Sequence, residues 1–176
     1  MRTRFILLTI LVLGYGMFPC HAVLSNSHQD WRNLPIFSLP PFERAVRCIK
    51  YYEQLHTSEN YPYVGYGHKI QLGEKLDYSI TEQQADSLLR SDLIRLCEIF
   101  KDYGKYKILL ATLSYNVGPY RILGTSRLPK SKLLQKIEKG NSDFEADYID
   151  FCNFNGREVP SIKRRRIIEL KLLLEE

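Results

Sequence analysis

Apolar residues recur at three- and four-residue intervals through Phe42, Ala45, Val46, Ile49 and Tyr52. That spacing predicts a helix with one buried stripe. Pro41 or Phe42 opens it, since proline is accommodated in a first helical turn. Glu43, Arg44, Arg47 and Lys50 take the solvated side, and the helix runs out near Leu55. One acid breaks this division. Glu53 lies four residues after Ile49 and seven after Val46, on the buried stripe. A short polar turn follows, and Tyr61 to Tyr66 reads as a strand closed by Gly65, Gly67 and His68.

Gln71 to Ser79 is a polar connection with Gly73 as a turn residue. Thr81-Glu82-Gln83-Gln84 is a capping-box pattern. It predicts a helix to about Phe100, with Ala85, Leu88, Leu89, Leu93, Leu96 and Cys97 inward. Gly104 breaks the chain. Tyr106 to Tyr115 is apolar nearly all round, which marks a buried central helix, and Asn116-Val117-Gly118-Pro119 ends it. Lys132 to Lys139 reads as a short helix closed by Gly140, and Phe144 to Phe151 as another. Ser161 is the expected cap of a last helix that carries Arg164, Arg165 and Arg166. The predicted class is α+β, mostly helical. Five or six helices form the body, and one small sheet near residues 61–80 sits beside the first helix.

The 176 residues suit one domain. Arg2 and Arg4, the apolar run Phe5 to Phe18 and the small residue Ala22 give residues 1–22 the character of a secretory signal peptide. An uncleaved anchor and a lipid-modified Cys20 are the rival readings. Residues 23–41 form a strap or linker punctuated by Pro35, Pro40 and Pro41, with Trp31 pinning it to the surface. Residues 42–176 are the main domain, and the protein is expected to be exported to the periplasm or beyond. Loss of residues 1–22 lowers the formal charge of +5 by the two units of Arg2 and Arg4. The basic remainder suits an anionic surface such as a cell wall, or serves solubility alone. With Cys20 gone, Cys48, Cys97 and Cys152 remain. An odd count among apolar neighbours favours buried thiols over a disulfide framework, with one disulfide plus a free thiol as the alternative in an oxidising compartment. No cysteine–histidine spacing suggests a metal site, and no cofactor is implied.

Glu53 is the strongest chemical candidate. An acid on an apolar stripe loses hydration, which favours the protonated carboxyl that general-acid catalysis requires. The plainer reading is a boundary acid paired with one of Arg164 to Arg166. Gly65 and Gly67, at alternate positions, allow the backbone to approach a ligand or a helix closely. The element lacks the run of a phosphate loop. His68 and Asn116 read first as a structural hydrogen-bonding residue and a helix-end cap. Arg164 to Arg166 reads as a solvated or salt-bridged helix face rather than a nucleic-acid site.

Glu53, Gly65-Tyr66-Gly67-His68, Thr81 to Ala85, Tyr115 to Gly118, and Ser161 to Arg166 with Glu169 occur in one order. Together they resemble the phage-type lysozyme family, the endolysins of glycoside hydrolase family 24, over about residues 42–174. Within it the chain is most similar to secreted lysozymes of Bacteroides-type conjugative elements. The resemblance implies a lysozyme-like fold and a muramidase acting on peptidoglycan glycan strands. It makes Glu53 the general acid, Gly65 to His68 the cleft floor, Asn116 and Gly118 the family residues at the central helix end, and Arg165 with Arg166 a structural anchor. The departures are local. Gln54 replaces the family's Gly, the segment before Gly65 is shorter, no Asp lies between Glu53 and Asp77, and Tyr63 stands in place of a Thr. Glu59 is the leading second carboxylate, while His56, Thr57 or Tyr63 are groups able to position water. A single acid would instead suit a lytic transglycosylase, and a wall-binding protein without catalysis is a third reading. The expected catalytic set is Glu53, Glu59 and Tyr63. The expected substrate-binding set is His56, Gly65, Tyr66, Gly67, His68 and Asn116.

Overall fold

The first helix, α1, spans Pro41–Glu53 and ends two residues before the expected Leu55. The computed structural model describes residues 33–174. The signal segment, Trp31 and most of the 23–41 strap lie outside the described residues. The stripe of α1 buries Ala45, Val46, Cys48 and Ile49. Full burial of a Val or Ile side chain contributes about 1.5–3 kcal/mol, so this face drives the docking of the helix. Arg44 and Arg47 are not simply solvated. Arg44 Nε donates to the Leu39 carbonyl (2.8 Å) and Nη1 to that of Leu172 (3.1 Å), and Arg47 Nη1 donates to Leu34 (2.9 Å). Long arginine stems lie along apolar surface and carry their heads to these carbonyls. Residues 34–40 are thereby tied to the domain.

Helix α2, Glu82–Ile99, starts at the predicted capping box. Gln84 N–H donates to Thr81 Oγ1 (3.2 Å), and Thr81 N–H donates back to Gln84 Oε1 (2.7 Å). Helix α3, Lys107–Val117, buries every residue from Leu109 to Ser114. It packs against α1, α2 and the last helix, α7, Pro160–Leu173. Between them lie α4 (Tyr120–Leu123), α5 (Lys132–Glu138) and α6 (Glu145–Ile149), and a 3₁₀ turn at Asp150–Cys152. Seven α-helices are present among the described residues, α4 being a single turn beyond the expected set. Helix α7 opens at Pro160, and its N-cap, Val159, makes no side-chain cap bond. Ser161 therefore lies inside the first turn instead of capping it, because proline is preorganised for the first helical position.

The expected strand from Tyr61 to Tyr66 contracts to β1, Tyr63–Val64, paired with β2, His68–Lys69. Tyr63 faces Lys69 and Val64 faces His68 in antiparallel register. Gly65 (φ 62°) and Gly67 (φ 98°) take the backbone out of the extended region, which limits the sheet to these residues. A second hairpin is new: β3, Asn153–Phe154, against β4, Arg157–Glu158. Its loop, Asn155-Gly156, has positive φ at both residues (50° and 75°), as tight two-residue hairpin loops require. The fold is a mostly helical α+β domain with small hairpins, and α3 is its core. Cys48 and Cys152 are buried, Cys97 is half-buried, and none of the three forms a disulfide.

Candidate active site

The corner after α1 is shaped by its last residue and the next. Gln54 closes the helix at φ 58° and ψ 176°, a region populated almost entirely by glycine. Its side chain donates back to the Tyr51 carbonyl (2.8 Å). The chain then reverses, and the 3₁₀ turn Ser58–Asn60 is closed by reciprocal Thr57–Asn60 bonds. His56 N–H donates to the Gly65 carbonyl (2.8 Å), which seats the turn against the first hairpin.

Glu53 is held unsymmetrically. Arg165 Nη1 donates to its Oε1 at 2.7 Å, while His56 Nε2 lies 3.9 Å from Oε2. The pairing with the arginine cluster that the sequence left open is thus made by Arg165 of α7. Arg165 also donates from Nε to Glu169 Oε1 (2.8 Å), and its guanidinium carbon lies 5.3 Å from the centre of the Tyr52 ring. Burial opposes the charge of Arg165, but Glu169 and Glu53 outweigh it and push its pKa upward. Glu169 is fully buried. Its second oxygen accepts from Arg166 Nη1 and from the Tyr148 hydroxyl (2.9 Å). Such buried charges are tolerated because they are paired and hydrogen-bonded.

The hairpin supplies the opposite wall. A Cβ at Gly67 would sit 3.6 Å from Glu53 Oε2 and 3.5 Å from the Tyr115 ring, so only a glycine leaves that oxygen uncovered. A Cβ at Gly65 would meet Ala85 at 3.1 Å, because the hairpin is pressed onto α2 there. Tyr115, on α3, donates its hydroxyl to the Tyr66 carbonyl (2.9 Å) and so fixes the peptide between the two glycines. The Tyr66 hydroxyl donates to Glu82 (2.8 Å), and Lys50 Nζ lies 4.6 Å from its ring centre. His68 is buried, with Nδ1 2.7 Å from Asp92 and Nε2 3.0 Å from Glu74. Both ring nitrogens are occupied, so His68 locks the hairpin to α2.

The fold therefore brings Glu53, His56 and Gly67 together and sets Gly65, Tyr66 and His68 behind them. Tyr63 is 42% exposed, and its ring stands edge-on to that of His56 at 6.4 Å. Glu59 lies on the exposed Ser58–Asn60 turn. Asn116 Oδ1 accepts from Arg166 Nη2, and the residue lines a groove of about 550 Å³ with Arg121, Lys132 and Phe154. Two participants fall outside the sequence-based site set: Arg165, assigned there to anchoring, and Tyr115. Among the described residues, no cluster of His, Cys, Asp or Glu could hold a metal, and no helix is long and apolar enough to cross a membrane. Of the three arginines, Arg165 and Arg166 are buried, so they present no phosphate-binding surface.

Residues 48–169 match the family model described as phage lysozyme. Among solved structures, the chain is similar to the endolysin from Escherichia coli O157:H7 phage FAHEc1. Sequence identity is 20%, the TM-score is 0.58, and the match covers 74% of this chain and 90% of that one. At that identity the likeness establishes the fold. The comparison with curated proteins finds no match.

Proposed function

The chain belongs to the phage lysozyme family, and from that premise we propose that it is a muramidase with Glu53 as general acid. Family membership makes it a peptidoglycan hydrolase of the glycosidase class. The finer reading is cleavage of the β-1,4 bond between N-acetylmuramic acid and N-acetylglucosamine, within glycoside hydrolase family 24.

One observation carries the role of Glu53. Its Oε1 is occupied by Arg165 at 2.7 Å, while Oε2 faces Gly67, where no side chain intervenes. In this reading Oε2 is the oxygen placed to deliver the proton. As the proton passes to the glycosidic oxygen, the carboxylate left behind is held by the fixed guanidinium, which needs no rearrangement to receive the charge. The Gly65–His68 hairpin forms the cleft floor, with His56 and Asn116 as substrate-binding groups. Glu59, on its flanking turn, or Tyr63 positions the attacking water in this scheme.

The exposed position of Glu59 favours one alternative, a lytic transglycosylase that needs a single acid. There the sugar's own hydroxyl attacks and the product carries an anhydromuramic end. Activity on purified sacculi, followed by mass spectrometry of the products, separates reducing from anhydro ends. Glu53→Gln should lower the rate by about 10²–10⁴-fold. Wild-type turnover in that folded variant would remove Glu53 as the acid. Sacculus binding without released muropeptides would mark a wall-binding protein.

We also propose that residues 1–22 are a cleaved signal peptide, 23–41 a strap and 42–176 the catalytic domain. The site of action is then the periplasm or the cell exterior. The resemblance to lysozymes of Bacteroides-type conjugative elements would imply local wall opening during DNA transfer, and phage-type lysis or competitor killing would use the same chemistry.

A further inference from the structure

The ring of His56 lies between Glu53 and Tyr63, with the side chain only 14% exposed. Its Nδ1 is buried and, among the described residues, has no hydrogen-bond partner. A neutral imidazole carries one N–H hydrogen, placed by what each nitrogen can bond. With no acceptor at Nδ1, the favoured tautomer carries the hydrogen on Nε2, the nitrogen 3.9 Å from Glu53 Oε2. The backbone N–H of His56 donates to the Gly65 carbonyl and fixes the main chain at this point, and the Tyr63 ring stands edge-on to the imidazole.

From this geometry we infer that His56 is a positioning residue that acts through Glu53, donating Nε2–H to Oε2 once that oxygen has released its proton. The inference rests on the reading of Glu53 as the acid. In the balanced step, the proton moves from Oε2 to the glycosidic oxygen, and the electron pair of the breaking C1–O bond stays with that oxygen. The new carboxylate then has two donors, Arg165 on Oε1 and His56 on Oε2. The ring must close in by about 1 Å to reach hydrogen-bond length, and catalytic hydrogen bonds commonly tighten only in the substrate complex.

Among the described residues, Glu53 from α1 and Tyr63 from β1 face this ring, and Glu59 follows three residues after His56 on the Ser58–Asn60 turn. Arg165 from α7 lies across the carboxylate, and Tyr115 from α3 lies beyond Gly67. A donor to the ionised carboxylate favours that form. Removing it leaves the departing charge less stabilised.

The test is the pH profile of kcat/KM on solubilised peptidoglycan glycan strands for the wild type, His56→Ala and His56→Gln. Thermal melts establish that each variant is folded. The expected result for His56→Ala is an alkaline limb displaced to higher pH and a maximal rate lowered about tenfold. His56→Gln, which keeps an N–H donor, moves both back towards the wild type. His56→Leu replaces the alanine variant if that one does not fold. Profiles superimposable on the wild type overturn the inference. So does an equal fall in rate for both variants with the limb unmoved, which marks a purely structural residue. Wild-type turnover in Glu53→Gln would instead sink the acid assignment, whereas an inactive Glu53→Gln beside unmoved His56 profiles sinks the His56 role alone.

Discussion

Arg165 and Glu53 are 112 positions apart in the chain and 2.7 Å apart in the fold. The guanidinium belongs to two carboxylates at once, since its Nε serves Glu169. Replacement by methionine would leave a fully buried Glu169 and a largely buried Glu53 each short of a partner. Breaking one side of a buried ion pair costs about 3–5 kcal/mol. Arg165→Met should lose stability on that scale in urea unfolding. Arg165→Lys should recover only part, because a point charge cannot span both carboxylates as the planar fork does. Near wild-type stability in either variant would mean that the pairing contributes little.

Gly67→Ala should affect catalysis more than folding. The added methyl would lie 3.6 Å from Glu53 Oε2, where a leaving oxygen would arrive under the proposed acid role of Glu53, on a backbone at φ 98°. A displacement of about 1 Å at the reacting atoms costs on the order of 100-fold in rate. Turnover on sacculi beside a thermal melt checks this. A variant equally impaired in both would point to simple unfolding of the hairpin.

Gln54→Gly should stabilise the protein. The present backbone, φ 58° and ψ 176°, is strained for a residue with a Cβ, by about 1–3 kcal/mol. Against this stand the greater unfolded-state freedom of glycine, about 0.5–1 kcal/mol, and the lost bond to Tyr51. A rise in melting temperature of a few degrees is expected (roughly 1 kcal/mol). A fall would show that the bond outweighs the strain.

Stability should also carry a histidine signature in pH. Burial of His68 lowers its pKa, but the hydrogen bonds to Glu74 and Asp92 outweigh that and hold it above the ordinary 6.5. A pKa raised in the folded state adds stability that is fully present below the unfolded value. That contribution fades as the pH rises through the folded value. The difference in unfolding free energy between the wild type and His68→Gln should therefore be larger at pH 6 than at pH 9. Asp92 keeps Arg95 and Glu74 keeps the Gln71 N–H throughout. A difference independent of pH would assign the cost to packing.

Cys48 should resist alkylation in the native protein. Burial first, and the charge of Glu169 second, push its thiol up to about 12, and the thiolate is the reactive form. Peptide mass spectrometry after iodoacetamide at pH 8 should find Cys48 modified only once denaturant is present. Native labelling as fast as in the unfolded chain would show that α1 opens readily.

Elements that carry their own local signal were readable in the sequence. The Thr81 capping box and the apolar girdle of Leu109 to Leu113 each specify a helix without knowledge of the rest. The second hairpin had a signal too, Asn155-Gly156, but its strands are two residues long and exposed, with no alternation to announce them. The site divides in the same way. Glu53 is conspicuous because an acid interrupts a buried stripe. Which arginine meets it depends on how α7 packs on α1, and among three adjacent candidates only Arg164 stays exposed. His68 is likewise explained by Asp92, 24 positions away, which no short-range pattern connects.

The second hairpin begins and ends at one point, because Val159 N–H donates to the Cys152 carbonyl (3.0 Å) across its base. Length changes at the Asn155-Gly156 tip therefore stay within the loop. Length changes beyond Val159 do not. One residue added or removed between Pro160 and Arg165 rotates everything after it by about 100°. Arg165 would leave Glu53, and Arg166 would leave Asn116, without any substitution in the site. Insertions should be tolerated at the tip and lethal to catalysis a few residues later.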